Sequence, residues 1–292
     1  MKPPLFEYHD PATLDEALAL LKAHGDEAKV LAGGQSLGPM LNMRLIYPSV
    51  LVDINRIEEL SGHQSSEEGM RIGALTRQSN LEDDRELSVR QPLIAAALPF
   101  IAHRAIRNRG TIGGSLSHAD PAAEWGALAL ALDAELIVRR ADAAPRTIAA
   151  ADFHAGLLAT ALAPDELLTE IRVPSWTQGR GWSFKEFNRR HGDFAIAGVA
   201  AWLDLDENQI CRAAAIALIG VGDKPVRARK AEALLAGAAA NAELFAAVAG
   251  AASQEIEPFD DPHASAVYRR HLTAVLVQDA LDQAKLRAGR VH

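Results

Sequence analysis

Two glycine pairs carry the residue types most suited to chemistry. Ala32, Gly33, Gly34, Gln35 and Ser36 form one run, and Thr111, Ile112, Gly113, Gly114 and Ser115 form the other; each follows an apolar stretch and closes on a hydroxyl. Residues without side chains let consecutive backbone N–H groups turn toward one point, the geometry that cradles phosphate oxygens. One glycine pair alone reads as a tight turn. Two with the same order of residue types suit a diphosphate. Neither has the spacing of the Rossmann fingerprint or the Walker A loop, so a flavin dinucleotide held between two loops is favoured over the usual nucleotide folds.

The remaining reactive side chains form no independent acid–base machine. His103 and His118 flank the second run without partners at metal-ligand spacing, and there is no His-Glu-x-x-His, cysteine pair, nucleophile elbow or carboxylate pair arranged for hydrolysis. No catalytic residue and no metal ligand is therefore expected, as in a protein whose chemistry belongs to its cofactor. Cys211 is the only cysteine, which excludes an internal disulfide and any iron–sulfur cluster held by four thiolates of this chain. Read alone, Glu124 is a first-turn helix carboxylate favoured by the macrodipole. Lys185 read alone is a position on an alternating strand, with Phe184 and Glu186 pointing the other way.

These residues need elements to position them. Thr13 and Glu16 make a capping box, and Leu14, Ala17, Leu18 and Leu21 recur at helical spacing up to Gly25. Strands at residues 29–32 and 49–54 complete a β-α-β start. A strand at 70–75, an apolar helix over 93–106 opened by Pro92, a helix from Glu124 to about residue 132, and strands at 135–139 and 167–173 follow. Residues 175–181 read as a domain seam. Beyond it, strands at 182–187, 195–205 and 210–220 form a meander. Helices at 227–235, 242–253 and 264–287 come last, the final one with Tyr268, Leu272, Leu276 and Ala280 at i+4 spacing. The fold class is α+β: a two-part N-terminal domain (a β-α-β unit plus a mixed sheet) over 1–176, then a three-stranded antiparallel sheet with a helical layer over 177–292.

The chain has 292 residues, 49% apolar, 23% charged and only 5% aromatic, with a formal charge of −8. That acidic balance without a long basic run argues against nucleic acid or an anionic membrane as partner. No window approaches the ~20 apolar residues of a membrane span and the N-terminus has no leader-like pattern, so a cytoplasmic location is expected.

A family resemblance rests on longer motifs. The run from Gly110 to Glu124 (GTIGGSLSHADPAAE), with the upstream AGGQS and the downstream RHGDFA ending at Ala195, resembles the FAD-binding medium subunit of the molybdenum hydroxylases, a group that includes carbon monoxide dehydrogenase and bacterial N-heterocycle dehydrogenases. The resemblance covers essentially the whole chain. It implies that residues 32–36 and 111–115 hold the FAD pyrophosphate, that Glu124 accepts from the adenosine ribose, that Lys185 stands near the flavin end, and that Ile101 and Leu168 make apolar contacts. Phe194 would shield the isoalloxazine ring, unless it is simply a core residue entering a strand. Ser115 stands where many members have Asn, which halves the donors available to phosphate. Gln35 stands where the carbon monoxide enzymes carry His.

By the same resemblance, the chain is an electron-transfer oxidoreductase subunit. A large molybdenum-cofactor subunit and a small subunit with [2Fe–2S] clusters would complete a heterotrimer, doubled into a dimer, that delivers electrons through FAD to an external acceptor. A stand-alone FAD-dependent reductase or oxidase, and a non-redox nucleotide-binding regulatory subunit, are the alternatives.

Overall fold

The Thr13 hydroxyl accepts from the Glu16 amide while the Glu16 carboxylate accepts from the Thr13 amide, and the helix Leu14–His24 runs from this box to Gly25. This capped start appears in the computed structural model, which describes residues 2–289. The apolar stripe of Leu14, Ala17, Leu18 and Leu21 packs on a small sheet of three parallel strands in the order Glu7–His9, Val50–Asp53, Ala28–Leu31. The edge strand Glu7–His9 has no periodicity to betray it, because its residues are exposed or partly exposed. Leu31 lies opposite Asp53, so the chain leaves two neighbouring parallel strands at their carboxyl ends side by side. That is where open parallel sheets collect ligands, and the first glycine run starts there.

A second sheet has five strands in the order His63–Ser66, Gly69–Gly73, Leu167–Pro174, Glu135–Arg139, Arg146–Ala149, all pairs antiparallel. The expected long helix over 93–106 is broken. The helix Pro92–Ala97 passes into a single 3₁₀ turn, Leu98–Phe100, and a separate short helix, Arg104–Arg107, follows. Pro99 removes one helix donor, and Ala102 adopts φ 45°, which reverses the backbone between the two pieces. The glycines of the second run also lie inside a helix, Ile112–His118, rather than in a loop.

The third sheet is antiparallel, in the order Gly181–Phe187, Ala197–Leu205, Cys211–Ile219, Val226–Arg227. It has four strands, not the three expected, because Val226 and Arg227 add a short edge. The helices Arg229–Leu235, Ala242–Gln254 and Ala266–Arg287 cover one face, packed in an alanine-rich core. The last helix buries Leu272, Val277, Ala280, Leu281 and Ala284, while Tyr268 is 40% exposed, so its stripe is rotated from the one the i+4 series suggested.

The other face of this sheet shares a core with the second sheet. Phe184, Ala200, Trp202 and Ala215 pack with Trp125, Leu128, Leu136 and Ile171, and Trp202 Nε1 donates to the Ala131 carbonyl at 2.7 Å. The helix Glu124–Ala131 lies in this shared core and is buried on every side. Residues 175–181 form the surface connection, but the apolar core continues past them.

Arg269 ties the last helix to the adjoining ends of the second and third strands of the third sheet. Its guanidinium is buried, donates to the carbonyls of Ile196 (2.5 Å) and Gly220 (2.7 Å), and pairs with Asp261 at 2.5 Å. Removing one partner of such a pair leaves the others unsatisfied in a dry site. Arg269→Met is expected to lower unfolding free energy by about 3 kcal/mol, measured as a drop in the urea midpoint with an unchanged slope.

Candidate functional site

The first glycine run leaves the strand Ala28–Leu31 and enters a short helix, Leu37–Asn42. Gly34 sits at φ 70°, a conformation that costs a side-chain-bearing residue but not glycine. The Gln35 side chain folds back, its Nε2 donating to the Gly33 carbonyl at 2.9 Å. Among the described residues, the backbone N–H groups of Gly33, Gly34, Gln35 and Ser36 donate to no protein acceptor, and the Ser36 hydroxyl makes no capping bond. This partly buried run therefore offers a row of donors to something other than the protein.

The second run differs. Thr111 is the N-cap of its helix, its Oγ1 accepting from the Gly114 amide at 3.1 Å. The amides of Ile112, Gly113 and Ser115 go to the carbonyls of Thr76, Ala74 and Thr111. The expectation that both glycine pairs present free amides is thus met by the first run alone, because the second folds as a capped helix start and uses its own donors. What the second run can offer a ligand is the Ser115 hydroxyl, which makes no hydrogen bond among the described residues; Thr111 is buried and its hydroxyl serves as the cap.

The two runs meet. A Cβ on Gly33 would run into the Arg109 carbonyl oxygen and stand 2.8 Å from the Gly110 Cα. A Cβ on Gly114 would lie 2.6 Å from Thr111 Oγ1 and 3.7 Å from the Ala32 Cβ. Glycine is required at Gly33 because backbone passes against backbone there. Distant in sequence, the runs become two walls of one site. The bare amides of the first run, the unpaired Ser115 hydroxyl of the second and the lack of side-chain bulk in both are what a diphosphate needs, so the residues present fit a dinucleotide such as FAD.

Ile101 and Leu168 are buried in the same apolar cluster as Ile112. The segment 101–102 is held by Arg107, whose guanidinium is buried, donates to the Ile101 (2.8 Å) and Ala102 (3.0 Å) carbonyls, and pairs twice with Glu82. Gly192 of the hairpin before Ala195 packs on the His103 ring, so that hairpin stands against the same segment. Phe194 within it is 60% exposed, which removes the reading of a core phenylalanine.

Glu124 is the first residue of its helix and is only 5% exposed, a burial that pushes its carboxyl up to about 7; the nearby Asp120 adds to the rise. Lys185 is not brought to this side. It pairs with Asp279 of the last helix at 2.8 Å. Strand alternation instead turns its neighbour Glu186 toward Glu124. Burial, reinforced by the Glu124 charge, pushes Glu186 up to about 8, and its Oε2 is a buried atom without a partner. Sequence reasoning gave no role to Glu186, Asn55, Arg77 and Glu82, and read Arg107 with its neighbouring arginines as a solvated surface group, whereas it is buried against Glu82. Asn55 alone had a legible signal, standing just past the carboxyl end of the strand Val50–Asp53 beside the one that feeds the first run. Among the described residues no group of three or more His, Cys, Asp or Glu could hold a metal, and no helix is long and apolar enough to cross a membrane.

Comparison with known proteins places the chain in context. Residues 4–176 match the family model described as the FAD binding domain in molybdopterin dehydrogenase, and residues 182–284 match the CO dehydrogenase flavoprotein C-terminal domain. The chain is 42% identical to the 6-hydroxypseudooxynicotine dehydrogenase complex subunit alpha of Paenarthrobacter nicotinovorans, over 99% of this chain and 97% of that one. It is 36% identical to the caffeine dehydrogenase subunit beta of a Pseudomonas species, over 97% and 96%. Among solved structures, a chain of carbon monoxide dehydrogenase from Hydrogenophaga pseudoflava superposes with a TM-score of 0.96 at 39% identity, covering 99% of this chain and 100% of that one.

The buried carboxyls set a pH dependence. A carboxyl raised in the folded state stays protonated there while the unfolded chain ionises, so stability is full below the unfolded value and falls as pH climbs toward the folded one. The urea midpoint of the ligand-free chain is expected to decline between about pH 5 and pH 8. Glu186→Gln should flatten the upper part of that decline; a slope identical to wild type would show that Glu186 ionises freely.

Proposed function

The chain belongs to the FAD-binding medium subunits of the molybdenum hydroxylases, and on that premise we propose that it is the subunit that binds FAD and passes electrons from a partner's [2Fe–2S] clusters to an external acceptor. The observation that carries this reading is the meeting of the two glycine runs, with unpaired amides on one wall and the Ser115 hydroxyl on the other. Ala32, Gly33, Gly34, Gln35 and Ser36 would bind the pyrophosphate through backbone N–H groups. Thr111, Ile112, Gly113, Gly114 and Ser115 would form the facing wall, with Ser115 donating from its hydroxyl and Thr111 holding the turn as its cap. Glu124, in its dry position, would accept from a ribose hydroxyl as the carboxylate or donate as the acid.

Ile101 and Leu168 would support the second wall, and the Phe194 ring, free of the core, would cover the flavin edge. The pairing of Lys185 with Asp279 argues for a role on the helical face of the third sheet rather than at the flavin. Bound in this cradle, FAD supplies the exchange between one-electron and two-electron carriers. The chain's own residues bind, orient and shield it.

The relatives are chains of multi-subunit enzymes. We extend that to a heterotrimer with a large molybdenum-cofactor subunit and a small [2Fe–2S] subunit, paired into a dimer, working in the cytoplasm. We also read 1–176 and 177–292 as its two domains; the family matches, at 4–176 and 182–284, fall on either side of the surface connection at 175–181. Substrate would bind to the large subunit, so this chain's residues do not choose it.

Purified with its partners, the protein should show a flavin absorption spectrum and release FAD on denaturation; a complex that assembles without flavin would refute the reading. Gly33→Ala should keep its far-ultraviolet circular dichroism while FAD affinity falls at least about tenfold, because the new Cβ pushes the walls apart at the Arg109 carbonyl.

A further inference from the structure

If a diphosphate sits between the two glycine runs, whatever fixes their separation governs its binding. One set of side chains spans the gap. Asn55 Nδ2 donates to the Ala32 carbonyl at 2.8 Å, at the entrance of the first run. Asn55 Oδ1 accepts from Arg77 Nη2 at 2.6 Å, and Arg77 Nη1 donates to the Arg109 carbonyl, at the entrance of the second. That Arg109 carbonyl is the same atom against which Gly33 packs.

Both ends of the relay are anchored. Asp53 accepts from the Asn55 backbone at 2.9 Å and from Asn55 Nδ2 at 2.6 Å, which fixes the amide with its oxygen toward Arg77, while Tyr8 donates to the other Asp53 oxygen at 2.7 Å. The Arg77 backbone forms an antiparallel bridge with Thr111, and the next amide, of Gln78, donates to the Gly110 carbonyl at 3.0 Å. Arg77 thus grips the second run by main chain and side chain together.

The charge balance of this corner points the same way. Among the described residues neither Arg77 nor Arg109 forms an ion pair, in a chain with net charge −8. Burial and the adjacent Arg109 both lower the Arg77 guanidinium from its ordinary value, with Asp53 opposing. Two neighbouring cations, one partly buried, favour an anion nearby.

We propose that Asn55 and Arg77 are positioning residues that hold the Ala32 and Arg109 ends of the two glycine runs at the separation a dinucleotide diphosphate requires, with the Arg77 charge adding attraction for it. This rests on the FAD reading above and adds two residues to it. The relay acts as a unit, so breaking either link releases the same constraint.

The test is the affinity of the full-length chain for FAD, and for ADP as a competitor sharing the diphosphate, in Arg77→Gln, Arg77→Lys, Asn55→Ala and the double variant N55A/R77Q. Arg77→Gln is expected to weaken FAD about tenfold or more, as loss of hydrogen bonds to a charged group does, and Asn55→Ala about threefold to tenfold. Arg77→Lys, which keeps the charge without the planar fork, should fall between wild type and Arg77→Gln. ADP should weaken by the same factor as FAD. The double variant should bind no worse than Arg77→Gln, because one broken relay cannot be broken twice.

A wild-type chain that binds FAD while Arg77→Gln and Asn55→Ala bind it equally well overturns the relay and leaves the FAD reading standing. Effects that multiply in the double variant overturn it too, since they mean separate roles. No FAD binding by the wild type overturns both. If Arg77→Gln fails to fold, Asn55→Ala and Arg77→Lys make the same comparison.

Discussion

The contact on which the rest depends is the close approach of Gly33 to the backbone at Arg109 and Gly110. Backbone can pass backbone at that distance only where no Cβ intervenes. It turns two runs separated by more than seventy positions into opposite walls of one cradle, and it works only if each run is delivered to the contact by something rigid. The parallel sheet delivers the first, from the carboxyl end of its edge strand Ala28–Leu31; the second arrives as the capped first turn of a helix lying on the five-stranded sheet.

That delivery explains why the two walls are chemically unlike. A chain leaving a strand end has no regular partner for its amides, so the first run keeps them available. A chain entering a helix must satisfy its early amides, and Thr111 and nearby carbonyls do so before any ligand arrives. Similar residue runs therefore make different contributions: donors of the main chain on one side, the Ser115 hydroxyl and absence of bulk on the other.

The third sheet and its helices matter to the site through burial. Sharing its core with the second sheet, that sheet closes over the Glu124–Ala131 helix and dehydrates Glu124 and Glu186 together. Two carboxyls in one dry region cannot both ionise cheaply, and here the electrostatics come from packing of the two layers rather than from any local motif. The Arg107–Glu82 pair performs the opposite task nearby, satisfying charge in order to hold carbonyls 101 and 102 in a reversed backbone.

The amino-acid sequence by itself determined the local devices: the Thr13–Glu16 cap, the strand ends that feed residues 32–36, the glycines where side chains are forbidden, and the motif run from Gly110 to Glu124 that marks the family. Each is a short-range demand of backbone geometry or hydrogen bonding, readable within a few residues. The tertiary structure decided the rest. It set the reversal at Ala102 that, beyond the break Pro99 already encodes, separates the two helices within 93–106, and it paired Lys185 with Asp279 while turning Glu186 inward. It also joined Asn55, Arg77 and Arg109 across three elements. Such contacts depend on which surfaces meet after folding, and hydrophobic burial selects those surfaces without leaving a periodic trace in the residues that end up touching.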